Sequence, residues 1–327
     1  MLAFIVNQPG GPDVLKPVAL ADPKPIVGQV LIQVKAFGLN RAELVTRMGG
    51  SGDAVKFPKV IGIECVGEVL DCPDGRLQPG QKVAAAMGGM GRKYNGSYAE
   101  KVVMPLSNVF PIETSLSWTE LAAIPETYFT AWGCLFQSLQ IRPKARVLVR
   151  PGASALGVAV TQIVNHLGGE VIGVTRSAAK KEALLAAGMK AVIVSSAAVN
   201  DEVRTYWPNG ADGIIDTIVS SVSVSDDLKI RHNKGRICVA GSLAESYGQD
   251  TSGFIAQVVS ELPYVGFYSS ETISAEKETQ VLQTVINRIE AGDYQNPIAA
   301  TFPFESLPQA HMDMERNAFA GKVVITF

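Results

Sequence analysis

The chain has 327 residues, a 47% hydrophobic composition and a net charge of −2. That length exceeds the size at which single cores stop growing, so two domains are expected. A near-neutral balance without long basic or acidic runs excludes an electrostatic footprint for nucleic acid, and no apolar run of about 18 residues offers a membrane span.

The opening MLAFIVNQPGGPDVLK lacks the charged start and apolar core of a signal peptide. Cys65, Cys72, Cys134 and Cys238 show no framework spacing and suit small buried thiols in a reducing cytoplasm. Residues 1 to about 120 hold short alternating runs at 30–34, 66–70, 82–85 and 98–103, punctuated by Gly and Pro. Such runs predict a mostly antiparallel β domain, a barrel or sandwich. Ser117 with Glu120 three positions on is a capping box for a helix over 118–123, and 130–139 reads as the next helix.

A β-branched run at 147–149 then meets the turn Pro151-Gly152-Ala153-Ser154. An apolar helical pattern follows (Leu156, Val160, Ile163, Val164, Leu167), then Gly168-Gly169 and a strand at 171–175. Strand, glycine turn, helix and strand make a βαβ unit whose helix N-terminus can face a pyrophosphate. The candidate cradle is Gly152, Ser154, Ala155, Leu156 and Gly157, although the dinucleotide fingerprint wants more glycine than this. At the end of the second strand an NAD site normally places a carboxylate, and an NADP site a base. Here Thr175, Arg176 and Ser177 stand there with Lys180 just beyond, so the expected cofactor is NADPH. Lys181 reads as a solvated helix face.

Further strands are expected at 191–194, 213–217, 236–240 and 264–267, with helices near 178–187, 199–206, 222–230 and 252–260. This alternation predicts a doubly wound parallel sheet, making the chain an α/β protein. An amphipathic helix over 275–291, a turn at Asn296-Pro297 and a strand at 323–326 complete the first domain. Domain boundaries fall at 1–122 with 266–327, and 123–265. The expected cleft lies at the carboxyl ends of the parallel strands.

Several segments resemble the medium-chain dehydrogenase/reductase superfamily and its zinc-free quinone oxidoreductase branch. They are Gly10-Gly11-Pro12-Asp13-Val14-Leu15, Gly38-Leu39-Asn40, Pro58 to Val69 (PKVIGIECVGEV), Pro79-Gly80-Gln81-Lys82-Val83 and Gly96-Ser97-Tyr98-Ala99-Glu100. Thr130-Ala131 follows, and Ala310-His311 runs through Glu315 to Gly321-Lys322-Val323. The resemblance spans the chain and implies a GroES-like β domain beside the Rossmann domain. It places Asn40 and Thr130 near the nicotinamide and Gly241 close to the ribose or ring. Tyr128 either lines the acceptor pocket, as a catalytic candidate with Asn40, or is a half-buried aromatic.

Two departures stand out. Pro151 and Ser154 replace an Ala and a Gly of the family's AxxGxxG turn, and Ser51 stands where related enoyl reductases carry a tyrosine held to donate a proton. Zinc members place a Cys near the present Asn40 and a His at the present Ile63, so no metal site is expected. Glu64 then reads as a hydrogen-bonded structural carboxylate. Three functions stay open: an NADPH-dependent reductase of quinones, a reductase of enone or alkenal C=C bonds, and a non-catalytic NADPH-binding protein. The resemblance also implies a homodimer.

Overall fold

The computed structural model describes residues 1–195, 199–243 and 252–327. By packing, the chain forms two units, Met1–Phe129 with Ser270–Phe327, and Thr130–Ser269. The sequence places these breaks after 122 and 265.

The chain opens with β1 (Leu2–Val6), β2 (Leu15–Ala19), β3 (Gln29–Gly38), α1 (Arg41–Arg47), β4 (Glu64–Asp71) and β5 (Lys82–Ala86). Next come β6 (Lys101–Pro105), β7 (Val109–Pro111), α2 (Trp118–Ala122) and α3 (Pro125–Trp132). The second unit holds β8 (Arg146–Arg150), α4 (Ala155–His166), β9 (Glu170–Thr175), α5 (Lys181–Ala186), β10 (Ala191–Val194) and α6 (Val199–Tyr206). It continues through β11 (Ala211–Asp216), α7 (Ser221–Ile230), β12 (Arg231–Val239), α8 (Ser252–Glu261) and β13 (Val265–Phe267). The first unit is completed by α9 (Ala275–Glu290), β14 (Ile298–Pro303), α10 (Leu307–Glu315) and β15 (Lys322–Thr326).

In the first unit β14-β15-β3-β4-β5-β7 form one sheet, with β6 also paired to β3, and β1 pairs with β2. All of these pairs are antiparallel except β14 with β15. Strict alternation in β3 turns Val30, Ile32 and Val34 inward, onto Phe4, Phe37 and Tyr98 of one apolar core. The C-terminal strand β15 pairs with β3 of the N-terminal sheet.

In the second unit the order is β10-β9-β8-β11-β12-β13, all parallel. Their central segments, such as Val147-Leu148-Val149, Ile214-Ile215 and Ile237-Cys238-Val239, are apolar and buried, as suits a sheet covered on both faces. Chain order reverses between β8 and β11, the switch point at which such sheets take ligands beyond their carboxyl ends. Among the described residues no helix is long and apolar enough to cross a membrane.

Candidate functional site

In the Thr130–Ser269 unit, β8 ends at Arg150 and passes through Pro151 into the glycine turn. Gly152 donates its N–H to Val174 O of β9 at 2.7 Å. A Cβ there would stand 2.8 Å from Gly173 Cα, so only glycine lets the turn lie on the neighbouring strand. Ser154 caps α4: its Oγ accepts from Gly157 N at 3.0 Å and donates its single proton to Pro151 O at 2.8 Å. The hydroxyl is thus committed inside the turn. Ala155 and Leu156 open the helix, where N–H groups have no intrahelical acceptor by position.

The adjacent strand β9 ends at Thr175, buried, whose Oγ1 accepts from Ser177 N at 3.2 Å. Arg176 follows, exposed, with Ser177 and Lys180 half-buried on the next turn. The expected phosphate-binding bases and the glycine turn therefore occupy the carboxyl ends of neighbouring strands. Gly241 comes just after β12, with φ +121, in backbone that L side chains rarely adopt. Thr130 lies on α3, half-buried.

Beneath this rim lies a buried charge cluster that sequence reading missed. Arg150 Nη2 stands 2.6 Å from Asp227 Oδ1, and both side chains are sealed from solvent. Asp216, paired with Arg150 across β8 and β11, accepts from Ile218 N and Val219 N at 2.7 and 3.2 Å. Val219 takes φ 54 there, an unusual conformation for a β-branched residue held by its surroundings. Burial, with Asp216 adding to it, pushes the Asp227 carboxyl well above the carboxylate range, against the pull of Arg150.

The other unit holds Asn40 and Tyr128. Asn40 caps α1 in a capping box with Glu43, a spacing legible in the sequence but not used there. Its side chain sits in a ring. Asn40 Nδ2 donates to Glu64 Oε1 at 2.8 Å, while Lys322 Nζ donates to Asn40 Oδ1 at 2.7 Å and to Glu64 Oε1 at 2.6 Å. Glu64 Oε2 accepts from Glu126 N at 2.9 Å, tying the ring to the first turn of α3. Gly38 makes room for it, since a Cβ there would stand 2.2 Å from Lys322 Cε. Ile63, where zinc members carry histidine, is buried, and its N–H donates to Glu43.

A second buried network runs away from Glu43. The Tyr98 hydroxyl donates to Glu43 Oε2 at 2.8 Å and, having one proton, accepts from His311 Nε2 at 2.7 Å. His311 Nδ1 then accepts from Arg47 Nη1 at 2.9 Å, and Arg47 pairs with Glu315. Burial pushes the Glu43 carboxyl up to about 7 and, with Arg47 adding to it, His311 down to about 3. The motif residues Asn40, Glu64, Tyr98, His311, Glu315 and Lys322 thus meet in two hydrogen-bonded clusters.

Tyr128 is buried and stacks on Tyr294 at 6.1 Å between ring centres. Its hydroxyl has no hydrogen-bond partner among the described residues, and burial raises its pKa above the ordinary phenol value. Ser51 shares a 2.8 Å hydrogen bond with Thr46. Among the described residues no group of three or more His, Cys, Asp or Glu side chains is placed to hold a metal ion.

Two family models match, the alcohol dehydrogenase GroES-like domain over residues 27–114 and the zinc-binding dehydrogenase over 155–286. A quinone oxidoreductase of Rattus norvegicus is 28% identical over 332 residues, covering 99% of this chain and 97% of that protein. The synaptic vesicle membrane protein VAT-1 homolog of Danio rerio is 26% identical, over 99% of this chain and 69% of its own length. Among solved structures, Escherichia coli quinone oxidoreductase complexed with NADPH superposes with a TM-score of 0.87 at 20% identity, each chain fully covered. The chain belongs to the medium-chain dehydrogenase/reductase superfamily, in its quinone oxidoreductase branch.

Proposed function

We propose that this protein is an NADPH-dependent oxidoreductase that passes hydride to quinones without a metal. The observation that carries the coenzyme is the end of β9: Arg176 exposed, Ser177 and Lys180 beside it, and no carboxylate before the next helix. A guanidinium fork and an ammonium suit the 2′-phosphate that distinguishes NADPH from NADH. The glycine turn suits a dinucleotide, because Gly152 lets it lie close on β9 and it leads directly into α4, whose N-terminus can take a pyrophosphate. When bound, the dinucleotide supplies the hydride chemistry itself. The chain's own residues do the placing: Ala155 and Leu156 present N–H groups, Arg176 and Lys180 hold the phosphate, and Thr130 and Gly241 border the coenzyme. We assign Asn40 an orienting role and Tyr128 a lining role.

Quinone is favoured over enone by the acids the chain does not offer. A reduced quinone carries its charge on oxygen, which water protonates, whereas an enone needs a proton delivered to carbon. Ser51 is a weak acid tied to Thr46, and the Tyr128 phenol is raised by burial. The similarity to curated quinone oxidoreductases supports the same reading. Replacing Arg176 with alanine tests the coenzyme assignment. NADPH affinity is expected to fall about tenfold or more with NADH nearly unchanged. Equal losses for both coenzymes would remove the basis of the assignment.

A further inference from the structure

We propose that Lys322 is a positioning residue for the reaction, acting through Asn40 by fixing which way its amide faces. The proposal rests on the orienting role given to Asn40 above. An ammonium can only donate and a carboxylate can only accept. The Asn40 atom 2.7 Å from Lys322 Nζ must therefore be Oδ1, and the atom 2.8 Å from Glu64 Oε1 must be Nδ2. Turning the amide over would set donor against donor and acceptor against acceptor at once. The ring is closed by the third contact, Lys322 Nζ to Glu64 Oε1, with both side chains only 1% exposed. With Oδ1 taken by Lys322 and the helix cap, the amide retains one Nδ2 hydrogen, whose contact with Gly38 O is long at 3.4 Å. That hydrogen is what Asn40 can offer a ligand, and Lys322 helps to set its direction.

Lys322→Met alone would leave the Glu64 charge buried and unpaired, which destabilises for reasons unrelated to Asn40. The double variant Lys322→Met/Glu64→Gln removes both charges, and exchanging a buried pair for neutral side chains is often tolerated. The new glutamine can accept from Glu126 N while donating to Asn40, which invites the amide to turn over. Protein labelled with ¹⁵N-asparagine reports the amide directly, its side-chain signals being identified by their loss in Asn40→Asp. In the wild type the two Asn40 amide hydrogens should be separately resolved and slow to exchange. In the double variant they should move and exchange at least about tenfold faster, while the melting temperature stays close to wild type. With NADPH and 9,10-phenanthrenequinone, kcat should fall by about tenfold to a hundredfold, the scale of a misplaced reactive group, with KM changed far less. If the double variant does not fold, Lys322→Leu/Glu64→Gln, a second neutral pair, serves for the same measurements. Wild-type kcat in the folded variant, or unchanged amide signals, overturns the proposal. Failure of the wild type to reduce the quinone sinks the functional reading instead, and the amide signals still decide whether Lys322 fixes Asn40.

Discussion

Asp227 sits at zero exposure between an arginine and a second aspartate, and its titration sets a measurable sign. Its pKa in the folded protein is raised above the unfolded value near 3.8. Its contribution to stability is therefore fully present below that unfolded value and is lost as pH rises toward the folded one. Asp227→Asn removes this loss and keeps the shape. The variant's melting temperature relative to wild type should rise as pH increases above the ordinary carboxylate range. A variant that instead loses stability most at alkaline pH would mean that Arg150 holds Asp227 as a full carboxylate. No local pattern in the sequence announces this cluster, because Arg150, Asp216 and Asp227 meet only once the parallel sheet has formed. The Asn40 ring was equally hidden: Lys322 stands 282 positions from Asn40, and its motif said nothing of its partners.

At the scale of elements, Ser154 shows how a departure from a motif is absorbed. Its hydroxyl acts as a helix cap rather than reaching outward, so replacement should touch the helix before the coenzyme. Ser154→Ala should cost about 1 kcal/mol of stability and Ser154→Gly only a few tenths. Both should keep NADPH affinity within about threefold, because only backbone N–H groups face a bound phosphate there. A large affinity loss in the glycine variant would show that the hydroxyl does reach the phosphate.

The alternation of strand and helix in the second unit was legible because parallel strands buried on both faces read as apolar runs between amphipathic helices. The helix expected over 130–139 instead begins at Pro125, a residue suited to a first helical turn, and ends in a π-helical stretch, Gly133–Ser138. The strand expected at 98–103 runs over Lys101–Pro105, since Ala99 makes only an isolated bridge to Ala3. Strands β7 and β14 passed unread: one has three residues and both end in proline, so neither shows a clear period.

For the whole molecule, the six-stranded sheet ends at β13, where Phe267 is 53% exposed on an edge strand. Exposed edges are usually covered or paired, and a two-fold contact would extend this one across two copies. We propose a homodimer, and light scattering at micromolar concentration should return twice the 34.7 kDa chain mass. A monomer at that concentration would contradict it. The proposed reaction asks for a different measurement: steady-state NADPH oxidation by chelator-treated protein, with 9,10-phenanthrenequinone and with 2-cyclohexenone compared side by side. The quinone should exceed the enone in kcat/KM by about 10²–10⁴, the usual contribution of a positioned general acid that this chain does not supply to carbon. An enone reduced faster than the quinone, or activity lost to the chelator and restored by zinc, would contradict the reading of a metal-independent quinone reductase.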